Sequence, residues 1–260
     1  MSGTKFRTTS NKNVVQITGL TARYYHLKNH DIYLPSITSI LDKFPFSHVL
    51  KEYLMKNGYD ASRLMMEAAV RGSKIHNAVE DLCKGEKVIK NASLYHNELT
   101  EKDELLTEDE WRSVNWFNEW FQAMPITKIL GVEKIVYSIK YGYAGTIDLL
   151  LQIGDQVWLL DLKTGKGVWD SYWCQVVGYE KALRMKVDKV GILHLNEKAD
   201  TKNKKHYKLY DLDRQRKMNR EKAWELFLNC KTFWDFDHGT KPPKFEIENY
   251  PEELQLILPQ

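Results

Sequence analysis

Asp148, Asp161 and Lys163 interrupt two apolar runs, residues 146–153 and 157–162, which are joined by a Gly154-Asp155 turn signal. Side chains alternate along a strand, so Asp161 and Lys163 project from one face and Leu162 from the other. Paired as a hairpin, the two runs bring Asp148 to the same region. Two carboxylates and an ammonium then converge at the edge of an apolar sheet, where uncompensated charge is costly. A salt bridge between Lys163 and one aspartate is one reading, and isolated ion pairs of that kind often contribute little. One lysine cannot neutralise two inward carboxylates, and hard oxygen ligands with room for water suit Mg²⁺ or Mn²⁺.

A second group of candidates lies upstream. Leu64, Met65, Ala68, Ala69, Ile75, Val79 and Leu82 recur at helical spacing, with Gly85 as a stop signal, and predict a helix over 61–83 with those residues as its buried stripe. His76 and Glu80 sit one turn apart on it and point from one face. Alone, such a pair is a surface hydrogen bond. Beside the Asp/Asp/Lys group, His76 is a candidate metal ligand, while Glu80 could bind the ion, hold a water on it or orient His76. Gln175 and Tyr179 are likewise one turn apart, on a helix predicted over 169–185.

These residues carry a resemblance. Gly-Thr-Ile-Asp148, then Leu-Asp161-Leu-Lys163-Thr-Gly, then Gln175-x-x-x-Tyr179 resembles the RecB-like branch of the PD-(D/E)xK nuclease superfamily, and Arg71-Gly-Ser-Lys-Ile-His76 resembles that branch's histidine motif. Leu34-Pro-Ser-Ile-Thr-Ser-Ile-Leu41, with the Tyr-rich segment before it, is similar to phage exonucleases and the mitochondrial genome maintenance exonuclease. The resemblance implies an α/β restriction-endonuclease-like core with a mixed sheet flanked by helices. It frames one domain: a strand and helical extension over 1–60, the core and a following helix over 61–235, and an irregular tail over 236–260. It also implies Mg²⁺ or Mn²⁺ ligated by Asp148, Asp161, His76 and the backbone carbonyl of Leu162, with Glu80 as a further candidate. The ion would polarise a phosphate and activate a water. Lys163 would hold that water and stabilise charge on the phosphoryl oxygens. Gln175 and Tyr179 would border the active site, although packing against the sheet is the competing role for Tyr179. Thr164, Lys166 and Trp169, just beyond the catalytic strand, could meet the backbone or stack on a base, and Arg71 and Lys74 could contact phosphate.

The implied activity is a DNA exonuclease acting on single strands or duplex ends in replication, recombination or repair, in phage or bacteria. A structure-selective or restriction-like endonuclease and a non-catalytic nucleic-acid-binding module are the alternatives. No G-x-x-x-x-G-K-[ST] motif is present, so any helicase or recombinase coupling comes from another chain, and a separate single-strand-binding protein is a further candidate partner.

Composition sets limits. A net charge of +3 neither demands nor opposes a polyanionic partner. Cys83, Cys174 and Cys230 are scattered and odd in number, without zinc or iron–sulfur spacing, which fits a reducing cytosol better than a disulfide framework. No run approaches the ~18 apolar residues of a membrane span. Residues 1–15 faintly resemble a transit peptide but lack its amphipathic pattern, and read as a flexible terminus. A bacterial or phage-infected cytoplasm is expected, with a mitochondrial location kept open.

The elements that must position the candidates follow in order. Strands are predicted over 14–17, 23–27 and 32–33, then a short helix capped by Ser36 and a second over 47–57 ending at Gly58. Together they read as a helical lobe on the core, or as a channel wall using Arg23, Lys43 and exposed tyrosines. Residues 84–106 read as a mobile or irregular insertion. Thr107-Glu-Asp-Glu110 is a capping-box signature for a helix to about 124, with Trp111, Val114, Phe117, Trp120 and Phe121 facing the core. A strand over 132–139 completes an antiparallel meander with the two catalytic runs. A strand over 187–196, a basic loop over 198–206, a strand over 207–212, a helix over 214–233 and an irregular tail from 235 close the chain.

Overall fold

The two apolar runs that carry Asp148, Asp161 and Lys163 form the middle of a five-stranded mixed sheet in the computed structural model, which describes residues 5–8, 13–19, 22–45, 47–196 and 205–239. In chain order the elements are β1 (Lys5–Thr8), β2 (Val14–Thr18), β3 (Arg23–Leu27), β4 (Ile32–Pro35), α1 (Ile37–Leu41), α2 (His48–Asn57), α3 (Asp60–Cys83), β5 (Leu94–Asn97), β6 (Lys102–Leu105) and α4 (Glu108–Ala123). They continue with β7 (Ile126–Ser138), β8 (Tyr143–Ile153), β9 (Gln156–Lys163), α5 (Asp170–Ala182), β10 (Lys189–His194), β11 (Lys208–Asp211) and α6 (Arg220–His238).

The large sheet has the order β11-β10-β9-β8-β7. β7, β8 and β9 run as the predicted meander, and the β8–β9 turn places Gly154 at φ +56°, a left-handed value that glycine adopts without a Cβ penalty. α5 carries the chain across so that β10 pairs parallel with β9. Helices cover both faces. Ile147, Leu150, Leu159 and Ile192 pack with Val176, Val177 and Phe227 on the α1, α5 and α6 side. Leu149, Leu151, Leu160 and Leu193 pack with Ile75, Val79, Val114, Phe117 and Trp120 on the α3 and α4 side. Because both faces are buried, the central strands are apolar at consecutive positions.

Local chemistry explains the helix starts. The Ser36 hydroxyl accepts from the Ser39 amide at 2.9 Å, and Ser47 accepts from Leu50 at 3.1 Å. At α4 the box closes in both directions, with Thr107 N donating to Glu110 Oε2 at 2.7 Å and Glu110 N to Thr107 Oγ1 at 3.3 Å.

Several expectations are corrected. The N-terminal region is not mainly a helical lobe: β1 to β4 form a four-stranded antiparallel sheet, and β1 occupies part of the stretch read as a flexible terminus. Ser36 bridges to Ala144, and Tyr25, Leu27 and Leu34 pack with Ala144, so this sheet leans on β8. Residues 84–106 are not wholly irregular. They contain the β5–β6 hairpin, held by polar side-chain pairs such as Asn97–Glu104 rather than by apolar alternation, which hid it from a periodicity search. β7 begins at Ile126, six residues before the predicted start, across irregular register around Lys128 and Gly131. The α3 stripe holds for Ile75 and Val79, but Met65, Ala68 and Ala69 are exposed because the N-terminal half of α3 leaves the core to border a cleft. α6 starts at Arg220, after a 3₁₀ turn at Leu212–Arg214, and continues to His238, so the tail is helical past residue 235. Residues 198–204 of the basic loop, with 197 before it, and 240–260 of the tail lie outside the described residues. None of the described helices is long and apolar enough to cross a membrane.

Gly191, inside β10, marks a close strand-to-strand approach. A Cβ there would lie 2.6 Å from the Tyr210 carbonyl oxygen and 3.0 Å from Leu160 Cδ2. Gly191→Ala is therefore expected to push β11 from β10 and lower stability by about 1–3 kcal/mol, the usual range for overpacking, as read from urea denaturation.

Candidate metal centre

A cleft of about 1260 Å³ opens where α3, the N-terminal sheet, α5 and the ends of β8 and β9 meet. α3 delivers His76 to its floor. The Nε2 of His76 lies 3.1 Å from the Leu162 carbonyl, which can only accept, so Nε2 carries a proton and Nδ1 is the atom turned toward Asp148 Oδ1 at 3.5 Å. Asp148 Oδ2 accepts from the Leu162 amide at 2.6 Å. Both groups are thus fixed to the backbone of one residue on β9.

Glu133 completes this group. Ligand atoms of His76, Glu133 and Asp148 lie within 4.8 Å of one another. Glu133 stands on β7 beside Asp148, between the pairs Val132–Leu149 and Lys134–Ile147, and its φ is +45° in the middle of a strand. A non-glycine residue held in that region marks a backbone that its surroundings over-determine. Sequence reasoning missed Glu133 because it sits inside an alternating run; the available signal was Gly131, an irregularity marker two residues earlier.

Asp161 and Lys163 share the α5 side of β9, as alternation predicts, and form a second group. Lys163 Nζ lies 2.8 Å from Asp161 Oδ2, although neither oxygen of the buried Asp161 has a well-aligned hydrogen-bond donor. The ammonium also donates to Gln175 Oε1 at 3.2 Å and sits 4.5 Å from the centre of the Tyr172 ring, a contact the sequence did not reveal. Gln175 Nε2 in turn donates to the Tyr179 hydroxyl at 2.8 Å. Tyr179 is both packed and connected: its ring lies where a Cβ on Gly145 would stand, 2.5 Å from Cε1. The gathered trio is therefore His76–Glu133–Asp148 rather than His76–Asp148–Asp161, with the Asp161–Lys163 pair alongside.

The electrostatics follow from these contacts. Burial pulls the His76 pKa down, but the Asp148 and Glu133 carboxylates outweigh it and lift the group to about 9. Burial would raise Asp148, yet His76, Lys163 and the Leu162 amide hold it below the usual carboxylate range. Asp161 is pushed up to about 6, chiefly by burial, with Lys163 pulling the other way. For Lys163, burial is outweighed by Asp161 and Asp148, so the ammonium is favoured.

The remaining candidates divide. Arg71 lines the cleft and donates from Nη2 to the Thr164 carbonyl at 2.8 Å, tethering the segment after β9. Thr164, Lys166 and Trp169 also line the cleft. Glu80 does not reach the centre: one further turn along α3 carries it roughly 6 Å past His76, and it pairs with Lys84 at 2.8 Å. Lys74 is no phosphate contact. It is buried, pairs with Glu110 at 2.9 Å and donates to the Leu105 carbonyl at 3.2 Å, joining α3 to the α4 capping box. The Leu162 carbonyl orients His76. From the N-terminal sheet, Arg23 and Tyr25 line the cleft, and the Tyr25 hydroxyl hydrogen-bonds Thr146 Oγ1 at 2.8 Å. Lys43 instead pairs with Asp237.

Neither a scan against protein-family models nor a search of curated proteins returns a match for this chain. The donor set itself fits a divalent cation: one oriented imidazole and two carboxylates, with a buried third carboxylate nearby.

Lys74 offers a test of the division between framework and site. Lys74→Ala leaves the Glu110 carboxylate buried without its cation, and is expected to cost about 3–5 kcal/mol of stability in urea denaturation.

Proposed function

We propose that this chain is a metal-dependent nuclease of the PD-(D/E)xK type that hydrolyses DNA phosphodiester bonds, acting as an exonuclease on single strands or duplex ends. The observation that supports it is the convergence, in one cleft, of a His/Glu/Asp donor set and a lysine fixed by a buried carboxylate. His76, Glu133 and Asp148 would hold Mg²⁺ or Mn²⁺. When bound, the ion supplies Lewis-acid polarisation of the phosphate and eases ionisation of the attacking water.

The chain's own residues do the rest. Asp161 and Gln175 hold the Lys163 ammonium from two sides, so it presents its remaining N–H to a non-bridging phosphoryl oxygen, where negative charge grows in the transition state. The Asp161 and Asp148 carboxylates favour the ammonium, the form suited to donate to that oxygen. Tyr179 fixes Gln175, and Gln175 fixes the lysine's direction. Lys166 would meet the phosphate backbone from the cleft lining, and Trp169, 37% exposed and also lining the cleft, would offer a face for a base. DNA is the proposed partner, with any helicase, recombinase or single-strand-binding activity on another chain, in the cytoplasm of a bacterial or phage-infected cell.

Linear single-stranded, linear duplex and circular DNA, labelled separately at each end, would be incubated with the full chain and Mg²⁺, Mn²⁺ or EDTA. Linear substrates are expected to shorten only with metal, and circles to survive. Cutting of circles would make the protein an endonuclease; DNA binding unaffected by EDTA, with no digestion, would make it a binding module. Lys163→Ala should lower turnover by about 10²-fold or more with circular dichroism unchanged, and full retained activity would remove Lys163 from the chemistry.

A further inference from the structure

We infer that the backbone amides of Gly165 and Lys166, together with the Lys166 ammonium, form a phosphate-binding site in the cleft, separate from the metal centre, which holds a further phosphate of the bound DNA strand. The inference rests on the nucleic-acid reading above, which supplies the strand. It adds main-chain donors that no side-chain pattern announces.

The site is built by what holds the other side of the loop. The Thr164 carbonyl accepts from Arg71 Nη2 at 2.8 Å, and the Gly165 carbonyl from His194 Nε2 at 2.9 Å. Both oxygens also lie 3.5 Å from Asn196 Nδ2. Two successive carbonyls therefore turn toward one point, between α3 and the end of β10. No cis peptide occurs among the described residues, and a trans unit carries its C=O and N–H on opposite sides. The Thr164 carbonyl shares its unit with the Gly165 amide, and the Gly165 carbonyl with the Lys166 amide. Both N–H groups are thus turned away from the protein body, side by side. Neither donates to an acceptor among the described residues. Successive amides on one side of a bend form a concavity suited to an anion. Gly165 and Lys166 are exposed and line the cleft, and a Cβ on Gly165 would meet nothing within 4 Å, so a ligand can come close to the main chain. Lys166 has no carboxylate partner among the described residues, and the Arg71 guanidinium stands behind the loop. Neutral donors flanked by cations suit a phosphate, whose charge and shape they read without reference to the base. Lys163 precedes Gly165 by two residues, a span of at most about 7 Å. The loop therefore meets a phosphate close to the one at Lys163.

The full-length chain, labelled with ¹⁵N and kept in EDTA so that no strand is cut, would be titrated with a short oligothymidylate and followed by its backbone amide signals. The Gly165 and Lys166 amides are expected to shift and saturate together, while Gly154, at the far end of β8 and β9, stays in place. An oligothymidine joined by uncharged methylphosphonate linkages should leave both amides unmoved, and inorganic phosphate should move them only at much higher concentration. Gly165→Pro, which deletes one donor, should weaken oligothymidylate binding about tenfold or more. Lys166→Ala should lower the salt slope of binding by about one. Were Gly165→Pro to misfold by circular dichroism, the wild-type amide shifts decide alone. The inference is overturned if the charged strand binds without moving these amides, or if the uncharged strand moves them equally. It is also overturned if inorganic phosphate moves them and the strand does not, which would make the site one for a free anion, or if no strand binds at all. Digestion of linear DNA by the wild type with Mg²⁺ is scored separately. Metal-dependent shortening would keep the nuclease reading standing through any of these failures, and its absence would remove that reading on its own.

Discussion

Charge beneath an apolar sheet must be compensated locally, and that constraint organises this molecule. Three carboxylates and an ammonium stand at the cleft end of strands rich in Leu, Ile and Val, and α3 brings an imidazole against them. Solvent reaches them poorly, so each must find its partner in the protein. The fold answers with two short networks. One ties His76 and Asp148 to the backbone of Leu162; the other runs from Asp161 through Lys163 and Gln175 to Tyr179. Hydrogen bonds fix His76, Asp148 and Gln175 in these networks, while the buried Asp161 faces Lys163 without a well-aligned donor. The placements of α3 and α5 follow from that demand.

α3 illustrates how one helix meets two environments. Its C-terminal half buries Ile75, Ala78 and Val79 against the sheet, and a buried ion pair from Lys74 to Glu110 sets it against α4. Its N-terminal half carries Leu64, Met65, Ala68 and Ala69 along the cleft. His76 lies near the junction, where the helix is already anchored and the cleft has begun. His76 is thus held rigidly on one side and open to the cleft on the other.

Much of this was legible in the chain. The meander, the helix bearing His76, the capping box at Thr107 and the crossover helix all declare themselves by periodicity and punctuation, since each buries an apolar face. Burial on both faces also made Asp148, Asp161 and Lys163 conspicuous as interruptions. What stayed hidden has a physical reason in each case. Glu133 looks like an outward residue until a local left-handed twist in β7 redirects it. Lys74 reads as a surface cation because its buried partner arrives 36 positions later, on another helix. The β5–β6 hairpin is stitched by polar side chains and leaves no apolar rhythm. The α3 stripe is truly amphipathic, but its moment does not say which half faces a core and which a cavity.

The hydrogen bond between Tyr25 and Thr146 joins residues 121 positions apart. One wall of the cleft is therefore made by a segment far upstream of β8 and cannot be seated until β8 has been synthesised. In the terms of folding kinetics, this is a contact of high sequence separation, whose loop-closure entropy must be met before its reward arrives. The N-terminal sheet must wait beside the ribosome with the surface that Ala144 will cover still open to water. Maturation of the cleft is thus tied to the emergence of β8, and the window before it is when a chaperone would have the most to protect.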